Sequence, residues 1–168
     1  MQKVPDLYKQ LDAELIQLHQ IHSNRLKCGL GCSACCVDDI TVFEVEADNI
    51  RNNYKDLLEH GLPHPKGACA FLSQDNSCRI YEHRPYVCRS QGLPLRWLED
   101  QNQEVVELRD ICPLNDEGRP IEELPEEECW TIGPFEEKLL RLQLKEYENR
   151  TTRIALRELF NNNSILPY

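Results

Sequence analysis

The chain has 168 residues and a formal net charge of −10, from 29 acidic and 19 basic side chains. This length fits one domain, or one domain with an appendage, and an acidic chain without a visible basic patch argues against a general nucleic-acid binder. No apolar run approaches the roughly 18 residues that span a bilayer, and the first residues lack the apolar core of a signal peptide. We therefore expect a soluble, cytoplasmic protein with neither nucleic acid nor membrane as a partner.

The N-terminal segment predicts an amphipathic helix from Asp6 to about Arg25, because apolar residues recur there at spacings of three and four. His19 and His22 lie one turn apart on this helix and could bind a metal as a pair. Histidines at such positions are more often half-exposed helix residues, and we favour that interpretation.

The next elements follow a cysteine-rich loop. Residues 40–43 predict a short extended segment, and a second helix is expected from about Glu44 to Glu59, where glycine and prolines end it. Further along, Pro85 is expected to occupy the first position of a helical turn that carries Cys88.

The C-terminal half predicts a hairpin followed by helices. Two apolar stretches between Leu93 and Asp110 flank a turn at residues 99–103, and the acidic residues 115–128 are expected to form a solvated, mostly irregular connection. A third helix is expected from about Pro134, and a fourth from Thr152 to Phe160.

Nine cysteines dominate the chemistry that the sequence offers. Disulfides do not persist in a reducing cytosol, and an odd count with adjacent Cys35 and Cys36 suits a disulfide framework poorly. The cluster Cys28-Gly-Leu-Gly-Cys32-Ser-Ala-Cys35-Cys36 has the short spacings by which a tight turn directs two thiolates at one ion. We therefore expect a metal site, with the intervening glycines supplying a permissive backbone.

The neighbours Cys35 and Cys36 constrain that site, because successive side chains diverge in both helices and strands. One of them can join Cys28 and Cys32 at a metal, while the other points at a second site or into the core. The fourth ligand of the first site then comes from a distant segment, so that the metal closes a long loop and replaces missing apolar burial.

The same Cys-x3-Cys-x2-Cys spacing occurs in radical S-adenosylmethionine enzymes, which use it to hold an iron–sulfur cluster. A helical pattern precedes the motif here, Ala34 stands where that family usually has an aromatic residue, and no glycine-rich cofactor strand follows. These features argue against a radical enzyme.

Three arginines, Arg79, Arg84 and Arg89, are concentrated near the later cysteines of this acidic chain. Guanidinium groups could offset the charge of a thiolate–metal centre, because four thiolates on Zn²⁺ leave a charge of roughly −2. Pairing with surface glutamates is equally consistent with the sequence. His83 is not expected to be a ligand, because thiols are already in excess.

Three motifs carry a family resemblance: the cluster at residues 28–36, Cys69-Ala-Phe-Leu, and Cys78-Arg-Ile-Tyr-Glu-His-Arg-Pro-Tyr-Val-Cys-Arg. Together they resemble the YkgJ-type CxxCxxCC family of zinc- or iron-chelating domains over about residues 28–113. The first gap has three residues instead of two, and Ala70 replaces the usual proline, but neither departure removes a ligand. The resemblance implies eight metal ligands, Cys28, Cys32, Cys35, Cys36, Cys69, Cys78, Cys88 and Cys112, and Cys129 has no counterpart in it.

These expectations define an α+β fold that is mostly helical: a small Cys-rich, metal-centred domain with flanking helices and a short hairpin. Residues 1–27 would form the N-terminal helix, residues 28–113 the metal-binding domain, and residues 114–168 an acidic linker with C-terminal helices that pack on the same domain.

The first functional hypothesis is a metal-binding protein whose cofactor is zinc or iron, the iron alone or in a [4Fe-4S] cluster, in a largely structural or metal-handling centre. The alternative is an iron–sulfur redox protein or a component of a protein-modifying, methylase-like enzyme, since flagellin lysine N-methylases contain similar cysteine patterns. A third hypothesis is an adaptor whose acidic surface, including residues 126–128, docks a basic protein partner. No catalytic motif is recognisable, so no catalytic residue is predicted.

Overall fold

The computed structural model describes residues 3–102 and 104–163. Residues 1–2, Gln103 of the predicted hairpin turn, and residues 164–168 lie outside the described residues. Within these residues the chain forms an α+β fold with five α-helices and two small sheets. Helix accounts for 43% and strand for 15% of the structure, so helix is the larger share. No helix in the described part of the chain is both long and apolar enough to cross a membrane.

The first helix, α1 (Val4–Ile21), starts two residues before the predicted position and ends earlier than Arg25. Pro5 is tolerated in its first turn, where a backbone N–H has no helical partner. The buried leucines of α1 pack against the fifth helix, α5 (Pro134–Glu146), and against Trp130 in one of the two main core clusters.

The prediction of one continuous second helix from about Glu44 to Glu59 is wrong, because the segment forms two helices. Strand β1 (Thr41–Phe43) leads into α2 (Glu44–Asn53), which stops at Tyr54 before α3 (Lys55–His60) begins. The side-chain Nδ2 of Asn53 donates to the backbone carbonyl of Asn49 at 2.7 Å. A side chain that bonds to the backbone in this way competes with the hydrogen bonds of the helix and weakens it.

The hairpin prediction is confirmed. After the short helix α4 (Tyr86–Arg89), β2 (Leu95–Gln101) and β3 (Glu104–Asp110) pair antiparallel, from Leu95 opposite Asp110 to Gln101 opposite Glu104. A short strand that the sequence did not predict, β4 (Trp130–Thr131), joins the other edge of β2 in parallel.

The expected fourth helix, from Thr152 to Phe160, is also wrong. Residues 153–155 form β5 (Arg153–Ala155), which pairs antiparallel with β1, and a 3-10 helix follows at Leu156–Asn163. Strand β1 offers an unpaired edge at this position, and the Arg153 side chain donates to the carbonyl of Thr41 at 3.0 Å. Tertiary pairing therefore overrides the helical periodicity.

The acidic connection is less solvated than expected. It contains three 3-10 turns, at Pro113–Asn115, Ile121–Glu123 and Glu126–Glu128. Ile121 and Leu124 are buried beside Cys129 in a small third core cluster.

A buried carboxylate ties the elements of the fold together. Glu46 on α2 is 3% exposed, and it accepts hydrogen bonds from the Tyr8 hydroxyl at 2.8 Å and from the Tyr86 N–H at 2.9 Å. It also accepts the N–H of Phe43 at 3.2 Å. Burial raises the pKa of Glu46, and these three hydrogen bonds oppose that rise. Glu46 thereby joins α1, β1 and α4 at one point.

Candidate metal centre

The first four cysteines lie on a loop that turns twice. The N–H of Cys32 donates to the Gly29 carbonyl at 3.0 Å, and the N–H of Cys36 donates to the Ser33 carbonyl at 2.9 Å. In the first turn Gly31 has a φ of +83°, a conformation that glycine adopts without strain. The two turns bend the loop so that its four cysteines line one side of a single cavity.

Three more cysteines reach this cavity from residues 69–88. The N–H of Leu72 donates to the Cys69 carbonyl at 3.0 Å. Leu72 also pairs with Cys78 in an antiparallel bridge, so Cys69 and Cys78 are held close together. Cys88 lies on α4, and Pro85 is the N-cap of this helix. The prediction that Pro85 occupies the first helical position is therefore wrong by one residue. The N–H of Cys69 donates to the Cys36 carbonyl at 2.8 Å, which joins the two cysteine-bearing segments directly.

The cavity between these segments has a volume of about 520 Å³. Seven of the eight cysteines implied by the family resemblance line it: Cys28, Cys32, Cys35, Cys36, Cys69, Cys78 and Cys88. All nine cysteines of the chain are free thiols. Among the described residues, no three cysteine sulfurs lie within 4.8 Å of one another, so the thiols surround the cavity and do not converge on one point.

The adjacent thiols of Cys35 and Cys36 interact with each other. The hydrogen bond from Cys36 lowers the pKa of Cys35 to about 6. The same hydrogen bond and burial raise the pKa of Cys36. Cys35 is therefore the more acidic thiol of the pair, and Cys36 is the less acidic one.

Burial and mutual repulsion act on the deeper thiols. Burial raises the pKa of Cys88, and negative charge on Cys69, Cys78 and Cys35 raises it further. Burial is also the largest cause of the raised pKa of Cys69 and of Cys78. We call Cys35, Cys36, Cys69, Cys78 and Cys88 the inner thiols. Burial and mutual repulsion oppose the ionisation of several of these thiols at once, and the positive charge of a bound metal ion would favour it.

Cys28 is held by residues that the sequence analysis missed. Its sulfur accepts a hydrogen bond from Nδ2 of Asn115 at 3.2 Å, and the same Nδ2 donates to the Gly92 carbonyl at 2.8 Å. Asn115 is fully buried, and its own N–H donates to the Cys112 carbonyl at 2.8 Å. Asn115 thus links Cys28 to the segment of Cys112, the one implied ligand that does not line the cavity.

Other contacts of Asn115 fix its position. Its Oδ1 accepts the N–H of Lys27 at 2.8 Å, and its carbonyl accepts Nε of the buried Arg25 at 2.9 Å. The only sequence signal at this position is an asparagine three residues after a cysteine, which is too common a pattern to identify a role.

Residues 27–113 match the family CxxCxxCC, described as a "putative zinc- or iron-chelating domain". The chain belongs to the CxxCxxCC family. No curated protein and no solved structure matches it. The family supports zinc or iron as the partner of this CxxCxxCC protein.

The three arginines near the inner thiols differ in their contacts. Arg79 donates to the Ala70 carbonyl at 2.6 Å, and Arg89 donates to both carboxylate oxygens of Asp12, at 2.9 and 2.7 Å. Arg84 lines the cavity, and its positive charge favours the thiolate forms of Cys35, Cys78 and Cys88 by lowering their pKa values. Of the two alternatives that the sequence left open, pairing with a glutamate carboxylate is not seen for these three arginines in the described residues, and Arg89 pairs with the aspartate Asp12 instead.

The histidines do not form the metal-binding pair that the sequence allowed. His22 lies beyond the end of α1, is 5% exposed, and makes a hydrogen bond between Nε2 and the Glu128 carbonyl at 2.6 Å. His19 is exposed and borders the cavity, with Nδ1 2.9 Å from the Leu15 carbonyl. His83 contacts the hydroxyl of Tyr54 at 3.1 Å.

Two further groups lie away from the cavity of this CxxCxxCC protein. Cys129 is buried in the third core cluster, with its sulfur 3.9 Å from Nη1 of Arg109. In the described residues, the only three potential ligand atoms within 4.8 Å of one another belong to Asp56, Glu59 and His60, which are all exposed on α3. Neither group belongs to the cysteine site.

Proposed function

We propose that this protein binds zinc or iron through cysteine thiolates, in a centre that is largely structural or metal-handling. The observation that carries this proposal is the lining of one 520 Å³ cavity by seven thiols in a chain of a chelating-domain family. We propose as ligands the inner thiols together with Cys28, Cys32 and Cys112.

The donor set fits the chemistry of these metals. Thiolates are the ligands that zinc, copper(I) and iron–sulfur clusters prefer in proteins. Asn115 donates an N–H to the Cys28 sulfur, and such outer hydrogen bonds orient metal ligands and adjust their basicity. When bound, the metal supplies the positive charge that lets neighbouring thiols ionise together.

A structural role follows from where the ligands lie in the sequence. The loop at residues 28–36 and the segment at residues 69–88 are separated by more than thirty residues. Their direct link is the hydrogen bond between Cys69 and Cys36. A metal held by both segments closes this long loop, and its binding free energy becomes folding free energy.

An iron–sulfur centre with a redox role is the second candidate, and the spread of the sulfurs favours it. With Zn–S bonds of about 2.3 Å, a tetrahedral zinc ion holds its sulfurs roughly 3.8 Å apart. No three sulfurs of the described cysteines are within 4.8 Å of one another. A cluster of several iron atoms holds its thiolates farther apart than a single ion does, and it can carry electrons.

Elemental analysis with an ultraviolet–visible spectrum, on the full chain purified without oxygen, tests both candidates. Zinc without colour, with a large drop in melting temperature after chelation, is the result expected for a structural zinc centre. Iron with inorganic sulfide and a visible absorption that dithionite bleaches would identify the redox centre. Protein that contains neither metal, and takes up neither when they are added, would overturn the proposal.

A further inference from the structure

Arg84, which lines the cavity, differs from Arg79 and Arg89 in the partners of its guanidinium group. Arg79 and Arg89 have oxygen acceptors for their guanidinium groups. Within residues 3–102 and 104–163, the guanidinium of Arg84 has no hydrogen-bond acceptor and no carboxylate partner. It lies over the ring of Tyr81, whose centroid is 4.3 Å from Cζ.

The backbone of Arg84 is fixed on both sides. Its N–H donates to the Tyr81 carbonyl at 3.4 Å, and its own carbonyl accepts Nε of Arg89 at 2.9 Å. The next residue, Pro85, is the N-cap of the helix that carries Cys88. The half-buried Arg84 thus lies in the cavity wall, four residues before the proposed ligand Cys88.

A guanidinium has five N–H donors and a permanent positive charge. Partial burial without an acceptor is unfavourable for such a group unless an anion lies nearby. The groups that share its cavity are predominantly thiols and apolar side chains, with no Asp or Glu among the lining residues. Among the residues that line the cavity, the cysteines are therefore the groups that can supply an anion to Arg84.

We infer that Arg84 is the counter-cation of the metal centre and that it donates its N–H groups to thiolate sulfurs when metal is bound. This inference rests on the proposed function. It also indicates the charge of the bound centre: a divalent ion with three or four thiolates carries a negative charge, whereas two thiolates would leave the centre neutral and Arg84 unpaired. Arg84 is a positioning and charge-balancing residue; it is not a ligand.

The test measures zinc affinity, by competition with a chromophoric chelator, for the wild type, Arg84→Gln, Arg84→Lys and Arg141→Gln. Arg141 pairs with Glu137 on the exposed surface of α5, so its substitution changes the net charge equally without touching the cavity. Loss of an outer hydrogen-bond partner typically weakens metal binding by about 10–100-fold. We expect Arg84→Gln to bind at least tenfold more weakly, Arg84→Lys within about threefold of the wild type, and Arg141→Gln within about twofold.

Salt provides a readout that a purely structural role would not change. Between about 0.01 M and about 1 M salt the Debye length falls from about 30 Å to about 3 Å, so the deficit of Arg84→Gln should shrink as salt increases. Equal affinity of Arg84→Gln and the wild type, or equal weakness of the Lys and Gln variants, would overturn the inference while leaving the proposed function standing. If Arg84→Gln does not fold, a tenfold loss in Arg84→Lys would overturn it instead. Failure of the wild type to bind zinc or iron would reject the proposed function itself.

Discussion

Gly92 offers a direct test of how Cys28 is positioned. This residue has a φ of +91°, and a Cβ atom built on it would overlap the sulfur of Cys28 and lie 3.1 Å from Nδ2 of Asn115. The substitution Gly92→Ala therefore introduces both backbone strain and a steric conflict with a proposed ligand. Gly118→Ala is a matched control, because Gly118 has a φ of +113° and nothing within 4 Å of the same added atom.

The two effects have separable magnitudes. A left-handed conformation is unfavourable by about 1–2 kcal/mol for a residue with a Cβ atom, and this applies to both variants. Overpacking adds about 1–3 kcal/mol, and it applies to Gly92→Ala alone. In a chain of this size 1 kcal/mol shifts the melting temperature by roughly 2–4 °C, so Gly92→Ala should melt roughly 2–12 °C below the control.

Thermal unfolding and zinc competition on the wild type and both variants measure the melting temperature and the metal affinity. We expect Gly92→Ala to lose metal affinity as well as stability, because the Cys28 sulfur must leave the N–H of Asn115 to make room. Gly118→Ala should lose stability alone. Equal losses of stability in the two variants, with equal metal affinity, would refute the account of Cys28 given above.

Three other predictions concern separate residues. Cys88→Ser should lower the metal content per chain and speed proteolysis. Cys129→Ser, in a different core cluster, should leave the metal content unchanged. Equal metal content in the wild type and both variants would contradict the ligand assignment. Glu46→Ala leaves three buried N–H and O–H donors unpaired. It should therefore lower the free energy of unfolding, measured with urea, by about 3 kcal/mol or more. A loss below about 1 kcal/mol would contradict the role of Glu46 in joining α1, β1 and α4. Because burial raises the pKa of Glu46 above its ordinary value of 4.5, its titration stabilises the fold below pH 4.5, and this contribution disappears as the pH rises through the folded-state pKa. The stability of the wild type relative to Glu46→Gln should therefore be greatest near pH 4 and decrease towards pH 7, and a constant or opposite difference would show that burial does not dominate.

Local patterns in the sequence were sufficient for several elements. The leucine spacing of α1, the paired apolar stretches of the hairpin and the apolar run after Pro134 each act within one segment, and each element forms close to its expected place. The cysteine-bearing turn at Cys88 was also predictable, because a proline commonly precedes or begins a helix.

Contacts between distant segments explain why other features of the fold and the site could not be predicted from the sequence. The C-terminal segment has a helical periodicity, but β1 is available as a pairing edge and residues 153–155 become a strand. The role of Asn115 depends on Cys28 and Gly92, which are far away in the chain, and nothing in the local sequence specifies that meeting. The seven thiols share a cavity for the same reason: spacing could predict the loop at residues 28–36, but not the wall that faces it.

The cavity wall also has a consequence for biosynthesis. Leu156 lines the cavity, and Leu159 and Phe160 pack in the same core cluster as Cys69. A ribosome synthesises all eight proposed ligands more than forty residues before it adds Leu156. The nascent chain therefore presents its thiols to the surrounding metal pool before the last part of their enclosure exists, so loading can precede closure.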